Sequence, residues 1–122
     1  MHKLVILVEP LDDWAAFDEQ FPEFLHRAEQ MPGLLKEAIS QVERPLYGSL
    51  GFTRVYELFF ETNQAIQEAM ASPVGQEAGR LLQAMTQGKM VLFLADHQED
   101  DLERIRRFRK PNGNPNPDPD SQ

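Results

Sequence analysis

The feature that most constrains this fold is a short, unbroken apolar run near the start of the chain, "KLVILVE", which is followed by Pro10. Because its apolar residues do not alternate with polar ones, the strand that they predict must be covered on both faces, as in the centre of a sheet. A second run, "KMVLFLA", begins at Lys89 and predicts another buried strand. The two runs therefore predict a β-sheet at the centre of the fold.

Two amphipathic helices and two further strands are predicted between these runs. The first helix has Asp12 or Asp13 as its cap, stops at "PGL", and places on one side the apolar residues Trp14, Phe17, Phe21, Phe24, Leu25, Ala28 and Met31. Residues 34–43 predict a half-exposed strand, and "FTRVYELFFE" predicts the next one. The second helix is expected in two pieces, because Ser72 and Pro73 are typical of a helix start.

The resulting order, βαββαβ, is the ferredoxin-like arrangement, an α+β fold in which a four-stranded antiparallel sheet carries its helices on one face. The other face is left bare, and residues such as Val55, Phe59 and Leu92 are expected on it. At about 25 cal/mol per Å², a few hundred Å² of exposed apolar surface costs several kcal/mol. We therefore expect a homodimer that packs sheet face against sheet face.

The character of the chain changes after residue 97. Residues 98–110 begin with acidic and end with basic side chains, which complements a helix dipole and predicts a short extra C-terminal helix. Residues 111–122, "PNGNPNPDPDSQ", have almost no apolar content, which predicts a disordered tail rich in Pro, Asn and Asp. The ferredoxin-like domain is expected over 1–97.

Composition excludes several classes of function. The 122 residues carry a formal net charge of −8, which argues against nucleic acid and anionic membranes because both select basic surfaces. The chain has no cysteine, so disulfides, thiolate metal sites and cysteine nucleophiles are excluded. The N-terminal apolar run is too short for a signal peptide or a membrane span, which predicts a soluble, cytoplasmic protein.

Neither a cofactor nor a metal is expected. The sequence has no phosphate loop, no dinucleotide-binding glycine pattern and no Gly-x-Ser-x-Gly elbow. Its three histidines, His2, His26 and His97, lack the i, i+4 or His-x-His spacing that brings metal ligands together.

Three residues are candidates for catalysis. His26 is a candidate because histidine is the side chain type best suited to moving a proton near neutral pH. Helical spacing turns it about 100° from Leu25 toward the charged side, where a structural role is the alternative. Tyr56 and Glu57 are neighbours on the third strand, so they face opposite sides of the sheet. Tyr56 is predicted in a ligand pocket, and Glu57 either acts as a general base or forms an ion pair at the dimer interface.

A ligand pocket is predicted between the sheet and the helices, lined by Trp14, Phe17, Phe21, Tyr47 and Arg54. Pro22 lacks the N–H of a helix interior, so the first helix should kink or restart there, which either opens a cavity or only curves the helix. Tyr47 lies in a glycine-containing loop that either folds over the pocket mouth or forms a plain turn.

Four segments resemble the EthD family, small ferredoxin-like proteins that form dimeric α/β barrels and are named from an ethyl tert-butyl ether degradation cluster. The segments are "KLVILVE", "FDEQF" followed by "MPGL", "FTRVYELFF" and, as the most specific, "ASPVGQEAG". The likeness covers residues 3–96. The histidine that the family places two residues before a proline falls on Leu25, next to His26, and this chain has no His-x-Pro.

Three functions follow from these observations. The resemblance implies a small-molecule catabolic or accessory protein that binds an apolar or aromatic compound. The missing His-x-Pro favours instead a non-enzymatic dimeric binding or assembly module. The third is a cofactor-free or heme-handling monooxygenase of the same superfold, for which His26 is the candidate axial ligand.

Overall fold

The computed structural model describes residues 1–103, and four strands and three helices lie within them. In chain order they are β1 (His2–Val8), α1 (Trp14–Ala28), β2 (Lys36–Gln41), β3 (Arg54–Phe60), α2 (Asn63–Ala71), α3 (Pro73–Thr86) and β4 (Met90–Asp96). This order confirms the predicted one, with the second helix divided into α2 and α3. The predicted C-terminal helix (98–110) lies outside the described residues from residue 104 onward. The predicted tail (111–122) lies outside them entirely.

The four strands form one antiparallel sheet in the order β2-β3-β1-β4. β1 lies between β3 and β4, with Ile6 opposite Tyr56 on one side and opposite Leu92 on the other. The fold is therefore the ferredoxin-like α+β fold, and the first apolar run is central, as predicted.

Side chains at the three helix starts accept hydrogen bonds from the first turn. Asp13 accepts from the backbone N–H of Ala16, and Thr62 begins α2 in the same way. Ser72 ends α2 and begins α3, because its hydroxyl accepts from the N–H of Gly75 at 3.1 Å while Pro73 occupies the first turn. No helix within residues 1–103 is long and apolar enough to cross a membrane.

Of the two outcomes predicted at Pro22, a kink or a restart, the restart does not occur, because helix α1 runs without a break from Trp14 to Ala28. Pro22 lies on the exposed side of the helix, where the missing backbone hydrogen bond leaves a carbonyl facing water rather than the core. The apolar side of α1 remains continuous, and Phe17, Phe24 and Ala28 are all buried by the sheet.

The core lies between the sheet and the helix layer. Alternate residues of β1 and β3 face the helices, and they are Leu4, Ile6, Val8, Tyr56, Leu58 and Phe60. The helices contribute the buried side chains Phe17, Phe24, Ala28, Ile66, Ala69, Ala78, Leu82 and Met85.

Strand β4 lies at an edge of the sheet, which corrects the prediction of a buried strand. Its residues 91–94 are between 39% and 47% exposed. The predicted facing of Leu92 is also wrong, since its register partner Ile6 places it on the helix side. The outer face carries Val91 and Phe93 instead, beside Val5 and Leu7 of β1.

Phe59 lies on the outer face, as expected, but only 4% of it is exposed. The ammonium groups of Lys3 and Lys36 lie 5.6 and 4.7 Å from its ring centroid, and the His97 ring packs edge-on at 4.8 Å. One end of the outer face is therefore covered by the chain's own polar side chains.

Gly75 and Gly79, both in α3, have opposite surroundings and make a matched pair of tests. A Cβ on Gly75 would lie 2.0 Å from the carbonyl oxygen of Ala69, whereas a Cβ on Gly79 would meet nothing within 4 Å. We expect Gly75→Ala to lower the free energy of unfolding by about 2–3 kcal/mol. Gly79→Ala should raise it by about 0.5–1 kcal/mol, because the unfolded chain loses freedom.

Urea denaturation of the two variants measures both effects. Equal stability of Gly75→Ala and Gly79→Ala would contradict the close contact between α2 and α3.

Candidate functional site

A cavity of about 190 Å³ lies between the sheet and the helix layer. Three strands and all three helices contribute to its wall, which consists of Leu4, Ile6, Phe24, Ala28, Met31, Leu58, Met70, Gly75, Gln76, Ala78, Gly79, Leu82 and Leu92. Among residues 1–103, Gln76 is the only polar side chain in this wall, and no titratable group from that part of the chain lines it. The cavity is therefore suited to holding an apolar molecule, but its wall offers no acid, base or nucleophile.

The aromatic residues predicted to line the pocket pack mainly against one another. The ring centroids of Trp14 and Phe17 are 5.1 Å apart, and those of Phe17 and Phe21 are 5.3 Å apart. Between Phe17, Phe21 and Tyr56 a cleft of only about 20 Å³ remains. The Phe24 ring separates this cleft from the larger cavity, since it belongs to the wall of both.

Arg54 closes the outer end of this aromatic cluster. Its guanidinium lies 4.5 Å from the Trp14 ring centroid and 5.0 Å from that of Phe17, and it donates to the Asp18 carboxylate at 3.0 Å. Stacking and ion pairing together fix the Arg54 side chain against α1.

Tyr56 belongs to a hydrogen-bonded group that also contains Glu37 of β2 and Glu29 at the end of α1. The buried Tyr56 hydroxyl donates to the Glu37 carboxylate. Burial first, and then this hydrogen bond, raise the pKa of Tyr56, so its hydroxyl remains a donor at neutral pH.

The Glu29 side chain hydrogen-bonds to Glu37, and this bond, followed by the negative charge of Glu37, raises the pKa of Glu29. Two carboxyl groups can hydrogen-bond to each other only while one of them is protonated, so the closeness of Glu37 favours the protonated form of Glu29. The Glu37 carboxylate therefore accepts from the Tyr56 hydroxyl, and it also accepts from Glu29 when Glu29 is protonated.

His26 lies on the exposed side of α1, as its helical position predicts. Its Nε2 is 3.3 Å from the Gln30 amide nitrogen. His26 lines neither the cavity nor the cleft beside Tyr56. Its ring is therefore not positioned as an axial ligand to a group held in either space.

The remaining predicted site residues lie apart from the cavity. Glu57 pairs with Lys3 at 2.6 Å on the outer face of the sheet, opposite to the face of Tyr56. Tyr47 is 99% exposed in the loop between β2 and β3. Within residues 1–103, no group of three or more His, Cys, Asp or Glu side chains is placed to hold a metal ion.

Sequence reasoning named none of the cavity-wall residues as pocket-lining. The missed residues that matter most at these sites are Glu29, Glu37, Gln76 and Gly79. The last two lie in "ASPVGQEAG", where helical spacing alone places Gly75, Gly79 and Leu82 on one side of α3. Glu37 shares a face with Ile39 on β2, but its contact with Tyr56 depends on a strand register that the sequence does not display.

No protein-family model matches this chain, and no curated protein matches it. Solved structures do match. An ethyl tert-butyl ether (EthD) family protein from Bacillus halodurans C-125 is similar with a TM-score of 0.74 and 23% identity, over 80% of this chain and 99% of the other.

Two further matches are more distant in sequence. A dimeric ferredoxin-like protein of unknown function from Jannaschia sp. CCS1 has a TM-score of 0.62 and 16% identity, over 79% of this chain and 98% of the other. SnoaB, a cofactor-independent oxygenase from Streptomyces nogalater, has a TM-score of 0.62 and 16% identity, over 81% of this chain and 94% of the other. The resemblance to EthD proteins is thus confirmed as a likeness of fold.

The raised pKa of Glu29 predicts a pH-dependent stability. Because folding raises the pKa of Glu29, its contribution is complete below the ordinary value of 4.5 and is lost as the pH rises through the raised value. Glu29→Gln keeps a hydrogen-bond donor for Glu37 but has no proton to lose. The variant should therefore gain stability relative to wild type as the pH increases from 4.5 to 7.

Thermal melts at several pH values measure this difference. Glu19→Gln, an exposed carboxylate on the same helix, serves as the control and should show no such trend. A constant difference between Glu29→Gln and wild type across this range would refute the raised pKa of Glu29.

Proposed function

We propose that this protein is a homodimer that binds a small apolar compound in the cavity between its sheet and its helices, as a catabolic or accessory protein of EthD type. The observation that carries this proposal is the cavity of about 190 Å³, to whose wall the described part of the chain contributes a single polar side chain. An apolar cavity of about 150 Å³ in another protein remains dry and binds benzene, so the size and lining are sufficient.

The composition of the cavity wall favours binding over chemistry. Tyr56 is the catalytic candidate nearest to the cavity, because its ring packs edge-on against Phe24 at 5.5 Å, but its hydroxyl is engaged by Glu37. The other two candidates, His26 and Glu57, lie on outer surfaces. A non-enzymatic binding module is therefore the second candidate function.

The outer face of the sheet supports the homodimer. Val91 and Phe93 are 47% and 43% exposed there, next to Leu7 and Val55. Such a contiguous apolar patch is unfavourable in water and is typical of an interface. The Jannaschia protein of the same fold is dimeric, which agrees with this proposal.

Benzene is a suitable first probe of the cavity. At ten times its dissociation constant it should stabilise the folded protein by about 1.4 kcal/mol, which a thermal melt detects. Ala78→Met should remove this effect, because the buried Ala78 lines the cavity and the longer side chain fills it. Ala84→Met, at an exposed position of the same helix, is the control and should retain it.

A melt of the wild-type protein that does not respond to benzene would remove the cavity as a binding site for such compounds. An equal response in Ala78→Met and wild type would place the binding elsewhere.

Analytical ultracentrifugation tests the interface. Phe93→Lys should weaken the dimer by at least about a hundredfold, because a charge would be buried without a partner. Ile39→Lys is the matched control, since Ile39 is 49% exposed on the opposite edge of the sheet and faces the helix side. A monomeric wild type, or equal effects of the two substitutions, would contradict the interface.

A further inference from the structure

We infer that the cavity takes a neutral compound of about six to nine non-hydrogen atoms that carries a hydrogen-bond donor such as a hydroxyl, and that this compound enters between α3 and β4. The inference rests on the proposed function and specifies its ligand and its entrance. Size sets the first limit. Benzene, with six non-hydrogen atoms, occupies a cavity of about 150 Å³, and this cavity measures about 190 Å³.

The entrance is identified by the exposure of the residues in the wall. Leu4, Ile6, Phe24, Leu58 and Leu82 are all at most 5% exposed, so the chain closes the cavity on their side. Met70 and Leu92 are 41% and 39% exposed, and Gln76 and Gly79 are also exposed. The opening therefore lies between Gln76 and Gly79 of α3 on one side and Leu92 of β4 on the other.

Gly79 keeps this opening wide. A Cβ at this position would meet no atom within 4 Å, so a side chain there would project into open space at the edge of the cavity. Met70, an unbranched and flexible side chain at the same opening, can move to let a ligand pass.

Gln76 determines which polar group the ligand carries. Its Nε2 donates to the carbonyl oxygen of Ala71 at 3.1 Å, which leaves Oε1 as the acceptor that this cavity-lining amide has to offer a ligand. A ligand that lies in the cavity can therefore place one donor against Gln76. A charged ligand would lose its hydration without a counter-ion, because the described residues contribute no charged side chain to the wall.

Three aromatic probes of similar size separate these requirements. Toluene has no donor, benzyl alcohol has one, and benzoate carries a charge. With the full chain, isothermal titration calorimetry should show tighter binding of benzyl alcohol than of toluene and no measurable binding of benzoate. Gln76→Leu should weaken the affinity for benzyl alcohol by about three- to tenfold, which is the contribution of one hydrogen bond. The affinity for toluene should not change.

Gly79→Phe should prevent or strongly slow the binding of both neutral probes, and Leu92→Trp, on the other side of the opening, should do the same. Arg80→Phe is the control, because Arg80 is the adjacent exposed residue and does not line the cavity. If Gly79→Phe does not fold, Leu92→Trp alone tests the entrance.

The outcomes distinguish the two proposals. If neither toluene nor benzyl alcohol binds the wild-type protein, the proposed function fails. If both bind equally, if benzoate binds as well as benzyl alcohol, or if Gln76→Leu weakens both neutral probes alike, the function stands and the ligand class is wrong. If both entrance variants bind like wild type, the entrance lies elsewhere.

Discussion

The constraint on which the rest of this structure depends is that a four-stranded sheet has two faces and the described chain has helices for only one of them. The three helices bury β1 and β3 but leave the edge strand β4 exposed on both sides. On the helix side, the incomplete cover produces a cavity between α3 and Leu92. On the outer side, it leaves the apolar patch around Phe93. The proposed binding site and the proposed interface thus have the same cause, which is that the three helices cover only part of the sheet.

The order of elements was predictable from the sequence because it depends on local signals. Unbroken apolar runs, a helical stripe on α1 and a Ser-Pro pair at residues 72 and 73 each act within a few residues of chain. The same local reasoning failed for Leu92 and for the burial of β4, which depend on which strands become neighbours. At Pro22 it left both a restart and a curved helix open, and the helix continues because an exposed position makes the missing hydrogen bond tolerable.

The candidate site was less predictable than the fold, for a physical reason. A cavity is defined by what surrounding side chains leave unfilled, and the large aromatic residues Trp14, Phe17 and Phe21 fill their own space. The unfilled volume lies instead beside the glycines of α3, where the sequence shows no conspicuous residue. Likewise Tyr56 was expected to need a polar partner, but that partner, Glu37, depends on the register between β2 and β3.

The covering of Phe59 limits how a second sheet can lie on the outer face. Lys3 and Lys36 over its ring, with Glu57 and Glu99 bound to them, form a hydrated, charged margin at one end of the sheet. The apolar area begins only beyond this margin, so the patch is off-centre. When two identical off-centre patches meet about a twofold axis, the axis must pass through the patch, and an axis that crosses the line from patch to margin places the two charged margins at opposite ends. The margin therefore restricts the relative orientation of two copies before any of their apolar side chains touch.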